Sequence, residues 1–369
     1  MLCWLHVGDL HITGPDEQNI RDLREIVAQA NRCFAEGVDF LFLPGDNANE
    51  GTLAQYALIR AALDEMRLPL RILPGDHDVE PGSLDAFHGV LGAPALPFAE
   101  TIGGHRCLFL DIVSAGSGGP DFRLGPAQLA WLERELRSAQ AMPGSAALFM
   151  HAYPRELHDC GERVAGLVAR HDIGCIAMGH THYNEVANDG TTIYSTVRST
   201  GQIEEGPPGF ALTAIDGSVV SWRFKPLRRP FPFCLITSPA DERLLIDPAR
   251  QIARGPIRVR ARAWSDHEVA TATARIDGGR GQKMRFDAQE HLWSAELEAP
   301  DGRHGLVVQV TDAAGQTDTD AITVIVGDGH AWQAPVREPA GSDANAIGAW
   351  PEKGIHGGQL GPNKNGRKW

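Results

Sequence analysis

Five times in its first 182 residues the chain runs through a short apolar segment of strand composition and stops on an aspartate or a histidine. The segments cover residues 3–7, 38–43, 70–73, 146–150 and 173–178. They lead into Asp9-Leu-His11, Gly45-Asp46-Asn47, Gly75-Asp76-His77-Asp78, His151 and Gly179-His180-Thr181-His182. Helix-period stretches separate them, at 17–36, 53–66, 126–138 and 162–170, with Leu129, Leu132 and Leu136 spaced for one buried face. Gly125-Pro126 marks a helix start. Such alternation restricts the fold to a layered α/β core. Further strand candidates at 106–112, 192–195, 209–215 and 219–224 supply its later hairpins.

Side chains at the carboxyl ends of strands in an α/β sheet converge on one crevice. Carboxylates and imidazoles gathered there suit a pair of borderline divalent cations. Two such ions, about 3.5–4 Å apart, can clamp a phosphoryl group and acidify water. Taken singly, an Asp after a strand is more often a turn former, and short motifs match by chance. Five in order, each behind a strand candidate, point to one shared cause. His6, His88, His105, His158 and His171 fall outside the set and read as structural or surface residues.

The ordered set resembles the signature of the calcineurin-like metallophosphoesterases: D-x-H, G-D, G-N-H-[DE], H, then G-H-x-H. It spans residues 9–182, and the resembling domain extends to about residue 225. The opening Asp-Leu-His and the compact spacing look most like the bacterial cyclic-nucleotide phosphodiesterase subgroup. The resemblance implies a four-layer αββα sandwich with two divalent metal ions at the strand ends. It implies that Asp9, His11, Asp46 and His182 hold one ion, and that Asp46 bridges to a second completed by Asp76, His151 and His180. It further implies a metal-bridging hydroxide as nucleophile. His77 then protonates the leaving oxygen or stabilises the phosphoryl charge, with Asp78 orienting its ring. Mixed His and Asp ligands suit Mn, Fe and Zn alike.

One position departs from the family. Where it has Asn, this chain has Asp76. An amide offers a neutral oxygen to metal and an N–H to substrate; an ionised carboxylate has no donor. Three carboxylates, Asp9, Asp46 and Asp76, make the site less positive, which favours a singly charged diester over a dianionic monoester. The expected activity is hydrolysis of a small phosphodiester such as a cyclic nucleotide. The alternatives are a phosphomonoesterase or nucleotide hydrolase using the same residues, and an inactive metal-binding scaffold. No G-x-S-x-G elbow, P-loop or G-x-G-x-x-G opening a helix offers another chemistry.

Beyond residue 225 the pattern changes. Residues 226–232 (Pro-Leu-Arg-Arg-Pro-Phe-Pro) read as a linker between the catalytic domain, 1–225, and a β-domain, 233–328. There Ile257, Val259, Ala261 and Ala263 alternate with Arg258, Arg260 and Arg262. Strand signals follow at 269–276, 292–297, 305–311 and 317–326, with no helix-period segment between them. They predict an immunoglobulin-like sandwich, its arginine row a solvated sheet face. Residues 329–369 form a C-terminal tail bearing Trp332, Trp350 and Trp369. So many tryptophans predict docking, on the chain itself or on a second subunit of a homo-oligomer.

Composition bounds the partners. A formal net charge of −13 argues against gripping long nucleic acid and leaves a small phosphoester as the expected substrate. Six scattered cysteines without a CxxC pair read as reduced thiols. No leader-like segment opens the chain and no apolar run approaches the ~20 residues needed to span a bilayer, so a cytoplasmic setting without membrane contact is expected.

Overall fold

The computed structural model describes residues 1–328, 332–333 and 345–358. In chain order the first part gives β1 (Leu2–Val7), α1 (Gln18–Cys33), β2 (Phe40–Leu43), α2 (Leu53–Leu63), β3 (Leu70–Ile72), α3 (Asp85–Leu91), β4 (Phe98–Ile102), β5 (His105–Phe109) and α4 (Pro126–Ala139). Then come β6 (Ala146–Phe149), α5 (Gly161–Arg170), β7 (Ile173–Met178), β8 (Glu185–Asn188), β9 (Ile193–Thr196), β10 (Gly209–Asp216) and β11 (Val219–Pro226). Two sheets result, ordered β11-β10-β1-β2-β3 and β4-β5-β6-β7-β9-β8. β1, β2 and β3 run parallel in one, and β5, β6, β7 and β9 in the other.

Both faces of β1, β2, β6 and β7 are buried, which is why these strands read as continuous apolar runs. On β1, Leu2 and Trp4 enter a core between the two sheets, while Cys3, Leu5 and Val7 meet the helices. Aromatic rings fill the inter-sheet layer: Phe149 of β6 lies 5.3 Å from Trp4 and 4.9 Å from Phe42. Ile20, Leu23, Ile26 and Val27 of α1 and Leu129, Leu132 and Leu136 of α4 are buried on the outer faces. The order helix, sheet, sheet, helix is the four-layer sandwich. Local signals fix the helix starts. Thr52 and Gln55 form a capping box on α2, and Pro126 opens α4 in its first turn.

Three elements of this part escape a periodicity reading because they are short: α3, the antiparallel strand β4 that begins a hairpin with β5, and β8, antiparallel to β9. The 106–112 candidate correspondingly ends as strand at Phe109.

The second part comprises β12 (Phe233–Ser238), α6 (Pro248–Gln251), β13 (Ile257–Trp264), β14 (Val269–Ile276), β15 (Gln282–Lys283), β16 (Arg285–Asp287), β17 (Leu292–Leu297), β18 (Gly302–Asp312) and β19 (Thr317–Val326). They form two four-stranded sheets, β12-β13-β17-β16 and β15-β14-β18-β19, around a separate apolar cluster that includes Ile236, Val259, Ala272, Val308 and Val324. One short helix does intervene: α6 forms because Asp247 accepts from the N–H groups of Ala249 and Arg250.

The arginine row on β13 is not a solvated face. Arg258 is exposed, but Arg260 bonds Asp216 at 2.9 Å and Arg262 is buried, donating to the Gly37 carbonyl. Trp264 Nε1 donates to the Glu36 carbonyl at 3.0 Å, its ring 5.4 Å from Phe34. Period-2 alternation marks two faces but does not say what covers the polar one. Here the cover is the segment between α1 and β2, together with Asp216 at the end of β10. That segment precedes the parallel strand β2, so these contacts lie at the amino ends of the strands, away from the motif-bearing ends.

Tail residues 345–358 pack on the same chain. Ala346 bridges Ala187 at the edge strand β8, and the buried Trp350 joins the inter-sheet core. Lys353 Nζ pairs with buried Asp320 at 2.5 Å. The Gly354 carbonyl accepts from Asn184 Nδ2 and Arg198 Nη2 at 2.8 and 2.7 Å. Trp332 Nε1 donates to the Glu242 carbonyl at 3.2 Å. Trp369 lies outside the described residues.

Candidate metal centre

Parallel strands β1, β2, β3, β6 and β7 end on one side of the sandwich, and Asp9, Asp46, Asp76, His151 and His180 follow their last residues. Two groups of donor atoms gather there: Asp9, His11, Asp46 and His182, and Asp46, Asp76, His151 and His180. Within each group the atoms lie within 4.8 Å of one another, and every member is buried. Asp46 belongs to both. Its Oδ2 is 3.7 Å from His11 Nε2 and 3.5 Å from His151 Nε2.

Holding these groups together strains the chain. His11, Asp46, His180 and His182 adopt φ of 43°, 50°, 64° and 63°, four of the six described non-glycine residues with positive φ. Each such residue costs on the order of 1–3 kcal/mol, a cost that recurs at functional sites. The motif glycines answer the same crowding. A Cβ at Gly75 would lie 2.2 Å from Asp46 Oδ1, and one at Gly179 2.1 Å from Asp9 Oδ1.

The Nδ1 atoms of His151 and His11 have defined partners. His151 Nδ1 faces the Pro44 carbonyl at 3.1 Å, and a Nδ1–H donated there leaves Nε2 with a lone pair toward Asp46 and Asp76. His11 Nδ1 faces Gln202 Nε2 at 3.2 Å, with its Nε2 turned to His182 Nε2 at 3.0 Å. Asp9 Oδ2 accepts from the His180 N–H at 2.7 Å, while Asp9 Oδ1 is buried with no hydrogen-bond partner among the described residues. An orphaned buried carboxylate oxygen and two facing imidazole nitrogens are what cation ligation would satisfy. The donor set therefore fits two divalent ions.

Electrostatics agrees. Burial raises the Asp9 pKa to about 7, opposed by His151. Burial also works against Asp46 and Asp76, yet the neighbouring histidines outweigh it and hold both well below the usual carboxylate range. The same attraction overcomes burial at His151 and raises its pKa far above that of a free imidazole. Among protein groups alone, His151 and His180 offset this negative charge; a cation would take over that task.

His77 sits beside the first group, its ring 4.7 Å from that of His11. Its N–H donates to Asp46 Oδ1 at 2.9 Å, and its Nδ1 contacts the Asn49 carbonyl at 2.8 Å and Glu80 at 3.1 Å. Burial would lower its pKa, but Asp46, Asn49, Asp76 and Glu80 outweigh that and keep it raised. Asp78 does not orient this ring, contrary to what the resemblance implies. Its carboxylate accepts from the N–H groups of Asn47, Ala48 and Gly75, from Asn47 Nδ2 and from the Tyr56 hydroxyl. A buried carboxylate surrounded by unpaired amides satisfies those first, so Asp78 staples the Asp46 loop to the Asp76 loop.

Sequence reasoning misses Asn49, Phe122 and Gln202. Phe122 packs edge-on against His180 and His151, at 4.9 and 5.7 Å. Gln202 lies on the loop after β9, another parallel strand with its carboxyl end at the site. That position was the available signal, but no Asp or His marks it.

Residues 4–184 match the Calcineurin-like phosphoesterase family. The glycerophosphodiester phosphodiesterase GpdQ of Enterobacter lignolyticus is 29% identical over 196 residues, 48% of this chain and 69% of that protein. The 3',5'-cyclic adenosine monophosphate phosphodiesterase CpdA of Escherichia coli is 24% identical over 227 residues, 57% and 81% of the two chains. Among solved structures, a dimetal phosphatase from Danio rerio shares the fold, with a TM-score of 0.50 at 15% identity over 61% of this chain and 96% of that one.

Proposed function

This chain carries a calcineurin-like phosphoesterase domain over residues 4–184 and is a hydrolase of that family, and from this premise we propose that it cleaves small phosphodiesters. The observation that carries the reading is Asp76. Its Oδ1 lies 3.2 Å from His151 Nε2 and 3.4 Å from His180 Nδ1, so a third carboxylate joins Asp9 and Asp46 among the donors. Each added negative charge offsets cation charge that would otherwise attract phosphate oxygens. A dianionic monoester loses more by this than a singly charged diester. Both relatives named above are diesterases, which supports the same reading.

Asp9, His11, Asp46 and His182 would hold one ion, and Asp46, Asp76, His151 and His180 the other, with Mn, Fe and Zn as candidates. Bound there, two dications would acidify water and neutralise charge on the phosphoryl group. The protein's own contribution falls to His77. Its raised pKa favours the protonated ring, and with Nδ1 engaged by Asn49 and Glu80 the hydrogen of that form on Nε2 is the one left for transfer. Hydrolysis adds one water across a P–O bond; the departing oxygen takes the His77 proton, giving an alcohol and a phosphomonoester.

Residues 1–225 form the catalytic domain in this proposal, 226–232 the linker, 233–328 an immunoglobulin-like domain that braces it, and 329–369 the tail. Six free cysteines, five of them buried, support a reducing, cytoplasmic setting.

The test compares wild type with Asp76→Asn on bis(p-nitrophenyl) phosphate and p-nitrophenyl phosphate. The wild type prefers the diester, and the variant shifts toward the monoester. An unchanged ratio of kcat/KM values contradicts the role given to Asp76.

A further inference from the structure

We propose that Gln202 is a positioning residue for the metal centre, its amide oxygen holding His11 in the tautomer that presents Nε2 to a cation. The inference rests on the reading of the site as a metal centre and assigns a role to a residue outside both donor groups.

The geometry of His11 sets the requirement. Its Nε2 faces inward, 3.0 Å from His182 Nε2 and 3.7 Å from Asp46 Oδ2, and its Nδ1 faces outward to the Gln202 amide at 3.2 Å. A neutral imidazole carries one hydrogen. If Nε2 gives its lone pair to a cation, the hydrogen sits on Nδ1 and needs an acceptor. A half-turn about the Cγ–Cδ bond exchanges Gln202 Nε2 for Oε1 at nearly the same place. The amide can therefore accept from His11.

The loop that carries Gln202 is built to hold it there. Ser199 Oγ and the Thr200 N–H both donate to the Asp9 carbonyl, at 2.8 and 2.9 Å. Ser199 Oγ in turn accepts from the N–H groups of Gly201 and Gln202, at 3.1 and 2.9 Å. Gly201 is pressed against the first motif so closely that a Cβ would lie 2.2 Å from the Leu10 carbonyl oxygen and 2.8 Å from His11 Cβ. One loop thus grips the backbone at Asp9 and the side chain of His11, two members of the same donor group.

The contact also reaches His77. Gln202 Nε2 lies 3.2 Å from Asn49 Oδ1, and the Asn49 carbonyl is the partner of His77 Nδ1 at 2.8 Å. When Gln202 turns its oxygen toward His11, Asn49 turns its own amide to donate Nδ2–H. Its backbone carbonyl stays on His77. The metal-facing ring and the proton-bearing ring are thereby held through one amide pair.

The test is calorimetric titration of metal-depleted full-length protein with Mn²⁺, for wild type, Gln202→Met and Gln202→Glu. Wild type takes two equivalents. Gln202→Met, near in size but without an acceptor oxygen, weakens one of the two sites by about 10–100-fold, the usual effect of losing such a partner. Gln202→Glu keeps an acceptor and stays within a few-fold of wild type. Melting temperatures in EDTA are similar for all three, which separates lost ligation from lost folding. Two undiminished sites in Gln202→Met would overturn the proposal, as would Gln202→Glu failing as badly as Gln202→Met. A wild type that takes up no Mn²⁺ removes the metal-centre reading and this inference together, an outcome distinct from either variant result.

Discussion

The Nε2 atoms of His11 and His182 face each other across 3.0 Å in a buried site. Two neutral imidazoles can approach so closely only when one donates to the other, and both then compete for Asp9 and Asp46. A shared cation resolves the competition. We predict that His11→Ala or His182→Ala lowers bound metal from two equivalents to one, because Asp46, Asp76, His151 and His180 remain intact. Diester hydrolysis should fall further than the roughly 10–100-fold typical of an outer partner. Metal analysis after dialysis checks the first expectation and steady-state kinetics the second.

Asp78 gives the opposite kind of prediction. With five donors on one buried carboxylate, Asp78→Ala strands several of them, at a cost of about 3 kcal/mol or more. Urea denaturation should show that loss. The charge state of His77, followed by NMR titration of the folded variant, should change little, since Asp78 does not contact its ring.

Acid should weaken the fold through His6. Burial pushes its pKa to about 3, against about 6.5 for an exposed imidazole. Between those values the unfolded chain binds a proton that the folded one refuses. This contribution to stability is complete above pH 6.5 and falls by up to about 1.4 kcal/mol per unit as pH drops toward 3. His6→Met removes it, so the wild type should show the steeper loss of stability between pH 6 and pH 4.

The tail is held by charge as well as by Trp350. Lys353 meets Asp320 in a buried cluster where Arg223 also pairs with Asp318 at 2.5 Å. Lys353→Met leaves Asp320 with less compensation and should cost about 3–5 kcal/mol. Adding Asp320→Asn should recover much of that, a double-mutant cycle readable by denaturation.

How much of this was legible in the sequence follows from where chemistry leaves a mark. Asp9, Asp46, Asp76, His151 and His180 stand directly behind apolar runs, so their strand-end placement could be read without coordinates. Gln202 could not, because amides and hydroxyls after a strand look like any loop. Asp78 misleads for a related reason: the resemblance makes it the orienting partner of His77, but a residue in a tight turn points where the neighbouring backbone amides need it. The row Arg258, Arg260 and Arg262 shows two faces of a strand correctly, yet only packing reveals that Gly37 and Asp216 cover one of them.

The central claim is that the two overlapping donor groups bind two divalent ions that are needed for hydrolysis. Its most direct test is activity on bis(p-nitrophenyl) phosphate while metal-depleted protein is titrated with Mn²⁺. Activity should be absent at the start, rise with added metal and level off at two equivalents per chain, with a parallel rise in melting temperature. Full activity of the depleted protein, or an inert protein that takes up no metal, would contradict it.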